Sequence, residues 1–152
     1  MLAIAAHPDD IEFMMAGTLI LLADEGWQVH CLNLSSGNLG SMNLPPAKTA
    51  QVRRKEAQNA ARSINATWHP SICNDLQIFY DDRTLRRVAA IVRETDPSIV
   101  LTHSPDDYMC IVTFRLRDLL SPKSYPPRGP TSTGPGRAAG HSNWRIGELV
   151  SW

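Results

Sequence analysis

An α/β domain, built on a parallel sheet with helices on both faces, is the fold class this sequence predicts. Three observations carry that reading. Strand-like and helical segments alternate from residue 1 to about Thr102. The strand-like runs at the start and near Ile99 are apolar throughout, as in strands covered on both sides. The His- and Asp-rich turns fall where those strands stop, and open parallel sheets bind ligands in the crevice beyond the carboxyl ends of their strands.

Met1 to Ala6 is a short apolar run halted by His7-Pro8, which predicts a buried strand ending at a turn. Asp9 or Asp10 can cap the helix after that turn. Ile11, Met14, Met15, Thr18, Leu19 and Leu22 recur at helical spacing, and Gly26 supplies a C-cap. Gln28 to Leu34 alternates and is rich in strand formers, after which Ser35-Ser36-Gly37-Asn38 and Gly40 mark a loop. A second helix starts after Pro45-Pro46 and runs to about Ile64, with a narrow stripe of small residues including Ala50, Ala57 and Ala61. Gln77 to Tyr80 is expected to be a strand, Thr84 to Thr95 a helix with Leu85, Val88, Ala89 and Val92 inward, and Ile99 to Thr102 a further buried strand.

The chain has 152 residues, 43 % of them apolar, with 15 basic against 15 acidic side chains. One globular domain is expected at that size. Zero net charge argues against a strongly basic nucleic-acid binder. The charge is nonetheless uneven, since residues 1–109 carry 9 basic and 13 acidic side chains and residues 110–152 carry 6 and 2. The second segment also holds five of the eleven prolines and five of the nine glycines, so an irregular tail is expected there.

Cys31, Cys73 and Cys110 are odd in number and lack CxxC spacing, which argues against a disulfide framework and a cysteine zinc site of the usual kind. No apolar run approaches the roughly 18 residues of a membrane span, and no basic region precedes an apolar one at the N-terminus. A cytoplasmic protein without an integral membrane segment is the expectation. No GxGxxG or P-loop occurs, so nucleotide binding lacks support, and no GxSxG surrounds Ser35 or Ser36.

What remains is the His/Asp concentration at one edge: His7-Pro8-Asp9-Asp10, the Ser35-Ser36-Gly37 turn and His103-Ser104-Pro105-Asp106-Asp107. A neutral imidazole and a carboxylate three residues apart across a Pro-containing turn can ligate one metal, while the carboxylate between them faces a water. An N-capping carboxylate beside a solvent-facing His7 explains the same four residues without any metal.

Ala6-His7-Pro8-Asp9-Asp10, followed by Ile11-Glu12 and Gly17-Thr18-Leu19, resembles the opening signature of the LmbE-like, or PIG-L-like, zinc-dependent N-deacetylases (GlcNAc de-N-acetylases). Ser36-Gly37, Arg53-x-x-Glu56-Ala57, Asp75, Pro97-x-Ile99-Val100 and Thr102-His103-Ser104-Pro105-Asp106-Asp107-Tyr108-Met109 come in that family's order, over residues 1–109. The resemblance implies a Rossmann-like fold and removal of an N-acetyl group from an amino sugar or related small amide. It further implies zinc held by His7 and Asp10, Asp9 as general base, and Arg53 and Asp75 as substrate-binding residues. Arg53 pairing only with Glu56, and Asp75 serving only as a loop-turn residue, are the plainer alternatives. The implied partner is a small N-acetylated sugar or glycoconjugate, with no nucleic acid; self-association is left open.

The resemblance stops at Met109. Family members place a third zinc-binding histidine in a Tyr-Met-x-Asp-His string, and here Val112 stands in its place. His103 and Cys110 are the nearby side chains able to replace it. A rewired site, a non-catalytic binding or scaffold domain of the same fold, or a shifted reading frame or splice junction after Met109 each explain the break. The abrupt change to Pro/Gly/Arg-rich sequence favours the last, with a fold truncated or divergent after the fourth strand and exposed apolar edges prone to aggregate.

Overall fold

The computed structural model describes residues 1–104 and 150–151. Strand β1 (Leu2–Ala5) is followed by helices α1 (Asp10–Met14) and α2 (Ala16–Asp24), β2 (His30–Asn33), α3 (Pro46–Ser63), β3 (Thr67–His69), α4 (Asp82–Thr95), β4 (Val100–Thr102) and β5 (Val150–Ser151). Among the described residues the strands pair in parallel, in the order β3-β2-β1-β4-β5. The chain builds outward from β1 to β2 and β3, then returns to lay β4 on the other side of β1. The carboxyl ends of β1 and β4 therefore flank the point where strand order reverses, the place where open α/β sheets hold ligands.

Burial on both faces explains the uniformly apolar β1. Leu2 and Ile4 point into a core with Leu32, Leu34, Ile78 and Val88, against which Leu85 and Val92 of α4 pack. Ala3 and Ala5 point the other way, into a core with Ile11, Met15, Leu19, Cys31 and Leu101 that α1 and α2 cover. The small-residue stripe of α3 buries Ala57 and Ala61. The expectation of a parallel sheet between helix layers is met.

Two local expectations are revised. The helix expected from Ile11 to Leu22 is two helices, broken at Met15, where φ is −123° and the nearly inaccessible side chain serves the core. The third strand is Thr67–His69 and not Gln77 to Tyr80. Ile64 and Asn65, the latter at φ 54°, turn the chain sharply after α3, and the Thr67 amide then donates to the Val29 carbonyl at 2.8 Å. Gln77 to Tyr80 crosses back toward α4 as irregular chain, with Ile78 alone buried. The tail expected to be irregular lies outside the described residues apart from Val150 and Ser151, which pair with Leu101 and Thr102. Among the described residues no helix is long and apolar enough to cross a membrane.

Candidate functional site

The turn that leaves β1 is fastened from several directions. Asp10 accepts the His7 backbone N–H at 2.8 Å, and the Asp10 amide donates to the His7 carbonyl at 3.3 Å. Asn33, at the end of β2, donates its side-chain amide to the same carbonyl at 2.7 Å. Asp9 is the N-cap residue of α1 but makes no side-chain cap bond, and its φ of 105° is unusual for a residue other than glycine. That backbone turns its carboxylate outward to Arg53 of α3, which meets Asp9 Oδ2 at 2.5 Å and also bonds the Pro8 carbonyl. The other arm of Arg53 pairs with Glu56 Oε2 at 2.6 Å. Arg53 thus joins the helix-surface pair with Glu56 to the turn, which it reaches through Asp9 and Pro8.

Asp10 is the electrostatic centre of the turn. Its Oδ2 lies 3.7 Å from His7 Nδ1 and 3.3 Å from His103 Nε2. Burial pushes its pKa upward, but the hydrogen bonds from His103 and His7 outweigh this and hold the carboxyl well below its ordinary range. The bond to Asp10 raises the pKa of His7 against the opposing effect of burial. His103, a buried residue just past β4, also has the Ala6 N–H donating to its Nε2 at 3.2 Å. The same nitrogen faces one donor and one acceptor, and its protonation decides which of them it bonds.

Asp75 closes the neighbouring loop. Its two oxygens accept the Gly37 and Leu39 backbone N–H groups, each at 2.8 Å, while its own amide donates to Asn38 Oδ1 at 2.8 Å. Gly37, at φ +68°, lies so close to the turn that a Cβ there would meet Arg53 Cγ at 3.0 Å and Pro8 Cγ at 3.1 Å. The Ser36-Gly37 loop, Arg53 and the His7-to-Asp10 turn are therefore one packed unit.

His7, Asp9, Asp10 and Arg53 are brought together, with Asp75 held one loop away. His103, one of the side chains able to replace the missing histidine, is set by the structure against Asp10. Asn33 was missed altogether, since an asparagine ending a strand gives no local signal of a partner on β1. His69 is buried, and its Nε2 lies 3.1 Å from His30 Nδ1. Cys31 is buried in the sheet, its thiol pushed up to about 12 by burial. Cys110, Val112 and His141 lie outside the described residues. Among the described residues no group of three or more His, Cys, Asp or Glu side chains is assembled to hold a metal ion.

A Rossmann-like parallel α/β domain with a His-Asp turn at the switch point is the class of protein that fold and edge define. The chain belongs to the PIG-L family, GlcNAc-PI de-N-acetylase, whose model matches residues 2–112. It is similar to the 4-oxalmesaconate hydratase of Pseudomonas putida strain KT2440, with 31 % identity over 113 residues, covering 70 % of this chain and 44 % of the relative. It is also similar to a probable N-acetyl-alpha-D-glucosaminyl L-malate deacetylase 2 of Bacillus cereus, at 27 % identity over 69 % of this chain and 51 % of the relative. Among solved structures, the N,N'-diacetylchitobiose deacetylase of Pyrococcus horikoshii superposes with a TM-score of 0.62 at 28 % identity, over 69 % of this chain and 40 % of that one. The chain thus spans about half the length of the relatives it matches.

Proposed function

We propose that the edge from His7 to Asp10 serves a zinc-dependent hydrolase that removes an N-acetyl group from an amino sugar or related small amide. The observation that carries this reading is the Asp10 carboxylate, kept ionised by His7 and His103 at the switch-point crevice and flanked by a second carboxylate, Asp9, on an outward-turned backbone. The donor types fit zinc, as an imidazole nitrogen and a carboxylate oxygen 3.7 Å apart. Two ligands at zinc distances of about 2.0–2.1 Å stand roughly 3.3 Å apart in a tetrahedral site, so a few tenths of an ångström of adjustment suffices. A zinc ion held there would polarise the amide carbonyl and lower the pKa of the attacking water.

This chain's own groups supply the rest. Asp9 takes the proton as water oxygen bonds to the carbonyl carbon, and returns it to the amide nitrogen as the C–N bond breaks, leaving acetate and a free amine. Arg53 holds the Asp9 carboxylate in place and, with its remaining donor capacity, reaches toward substrate hydroxyl or anionic groups. Asp75 keeps the Ser36-Gly37 loop closed against the turn and has further acceptor capacity for a sugar hydroxyl. The substrate is a small N-acetylated sugar or glycoconjugate, as in the relatives named for such substrates. Val112, standing where the family places a third zinc-binding histidine, favours a second reading, a binding domain of the same fold without turnover.

Zinc titration of metal-stripped protein by calorimetry, beside the His7→Ala variant, separates the two. A one-to-one site of submicromolar affinity that is lost in His7→Ala, with acetate release from N-acetylglucosamine conjugates, supports the hydrolase. Zinc binding that is absent, or indifferent to His7→Ala, overturns it in favour of the binding domain.

A further inference from the structure

The two histidines of β2 and β3 take no part in the His7-to-Asp10 turn. His30 opens β2, in register with Leu2 of β1 and Thr67 of β3, and His69 stands in register with Leu32. Side chains alternate across a strand, so both rings fall on the face of Leu32, which α4 covers. Among the described residues β3 is the outermost strand on that side, and His30 is only partly covered, which leaves the pair open to solvent.

His30 Nδ1 and His69 Nε2 stand 3.1 Å apart, with ring centroids 5.3 Å apart and planes inclined by 31°. Between neutral rings, one of these nitrogens carries a proton and the other a lone pair, which makes a single N–H···N bond. A cation about 2.0–2.1 Å from each nitrogen would see them about 100° apart, between the square-planar and tetrahedral angles. A modest turn of the His30 ring aims both lone pairs at that cation. The shared proton then resides on the outer nitrogen of its own ring, His30 Nε2 or His69 Nδ1, so a neutral pair takes up the cation without releasing a proton.

Burial lowers the pKa of both rings, and the His69 charge and the Met1 amino group lower His30 further, so the pair is in its neutral, ligating form at pH 7. Glu94, in the last turn of α4, acts on both rings in the opposite sense, and its negative charge favours a cation between them. We propose that His30 and His69 form a metal site separate from the His7–Asp10 edge, which takes a first-row divalent cation between His30 Nδ1 and His69 Nε2. Imidazole nitrogens select copper, nickel or zinc over the oxygen-seeking calcium and magnesium, and among these copper(II) binds such donors most tightly. Water fills the remaining coordination positions.

The test follows the histidine ring resonances of the full chain by NMR as copper(II) chloride is added, since the paramagnetic ion broadens the rings that bind it. His30→Gln, His69→Gln and His7→Ala, each first shown to fold by circular dichroism, assign the signals. The His30 and His69 rings are expected to broaden together, magnesium chloride to leave them sharp, and His7→Ala to leave both responding to copper. In His30→Gln the His69 ring should need about a hundredfold more copper, because the second nitrogen of a chelate acts at high effective concentration. His69→Gln, read at the His30 ring, gives the reciprocal result and serves alone where His30→Gln does not fold. Rings that stay sharp in the wild type, or one ring that broadens as readily after the other is replaced, overturn the site.

Discussion

Replacing Asp75 tests how the loop beside the candidate site is held. Its carboxylate is nearly inaccessible and accepts two backbone N–H groups at 2.8 Å, from Gly37 in a buried bond and from Leu39 in a partly buried one. Asp75→Ala leaves both donors without their acceptor. A buried donor stripped of its partner costs about 1–3 kcal/mol, and one that water can reach costs less. With about 2 kcal/mol for Gly37 and about 1 for Leu39, the variant should lose about 3 kcal/mol. At an m-value of about 2 kcal/mol/M that lowers the urea midpoint by about 1.5 M. Asp75→Asn keeps one acceptor and turns an NH₂ toward the other amide, so its loss should be smaller. The assay is equilibrium urea unfolding monitored by circular dichroism. A loss below about 0.5 kcal/mol in the alanine variant, within the range of ordinary surface substitutions, would refute the clamp and leave Asp75 as a substrate group only.

Gly37→Ala should cost about 2–4 kcal/mol in the same assay, from the left-handed backbone and from contact with Arg53 and Pro8; an unchanged midpoint would refute the close approach. Burial lowers the pKa of both His30 and His69, and the His69 charge lowers His30 further. Their folded values lie below the ordinary 6.5, so the neutral pair contributes stability above that value and loses it as the pH falls through the folded values. His7 runs the other way: its raised pKa gives stability that is full below 6.5 and lost as pH rises through its folded value. The melting temperature of His30→Gln/His69→Gln should therefore fall less than that of the wild type between about pH 7 and pH 5. Parallel curves for the two proteins would contradict this.

The sequence by itself determined the elements whose signal is local. An apolar run halted by His7-Pro8 could only be a covered strand. Helical spacing marked α2 and α4, and Pro45-Pro46 placed the start of α3. The same local signal showed the His-Asp turn, because its residues adjoin one another and a strand end. Tertiary structure decided what depends on a distant partner. Gln77 to Tyr80 has strand composition but no neighbour to pair with, whereas Thr67–His69 becomes a strand because β2 offers it a free edge. Asp75 is bound to Gly37, 38 residues away in sequence, and His103 meets the Ala6 amide 97 residues away. Neither residue differs locally from an ordinary loop residue. Hydrogen-bond partners that far apart are joined only when the sheet closes, so the clamp on the loop and the histidine beside Asp10 are properties of the fold and not of any stretch of sequence.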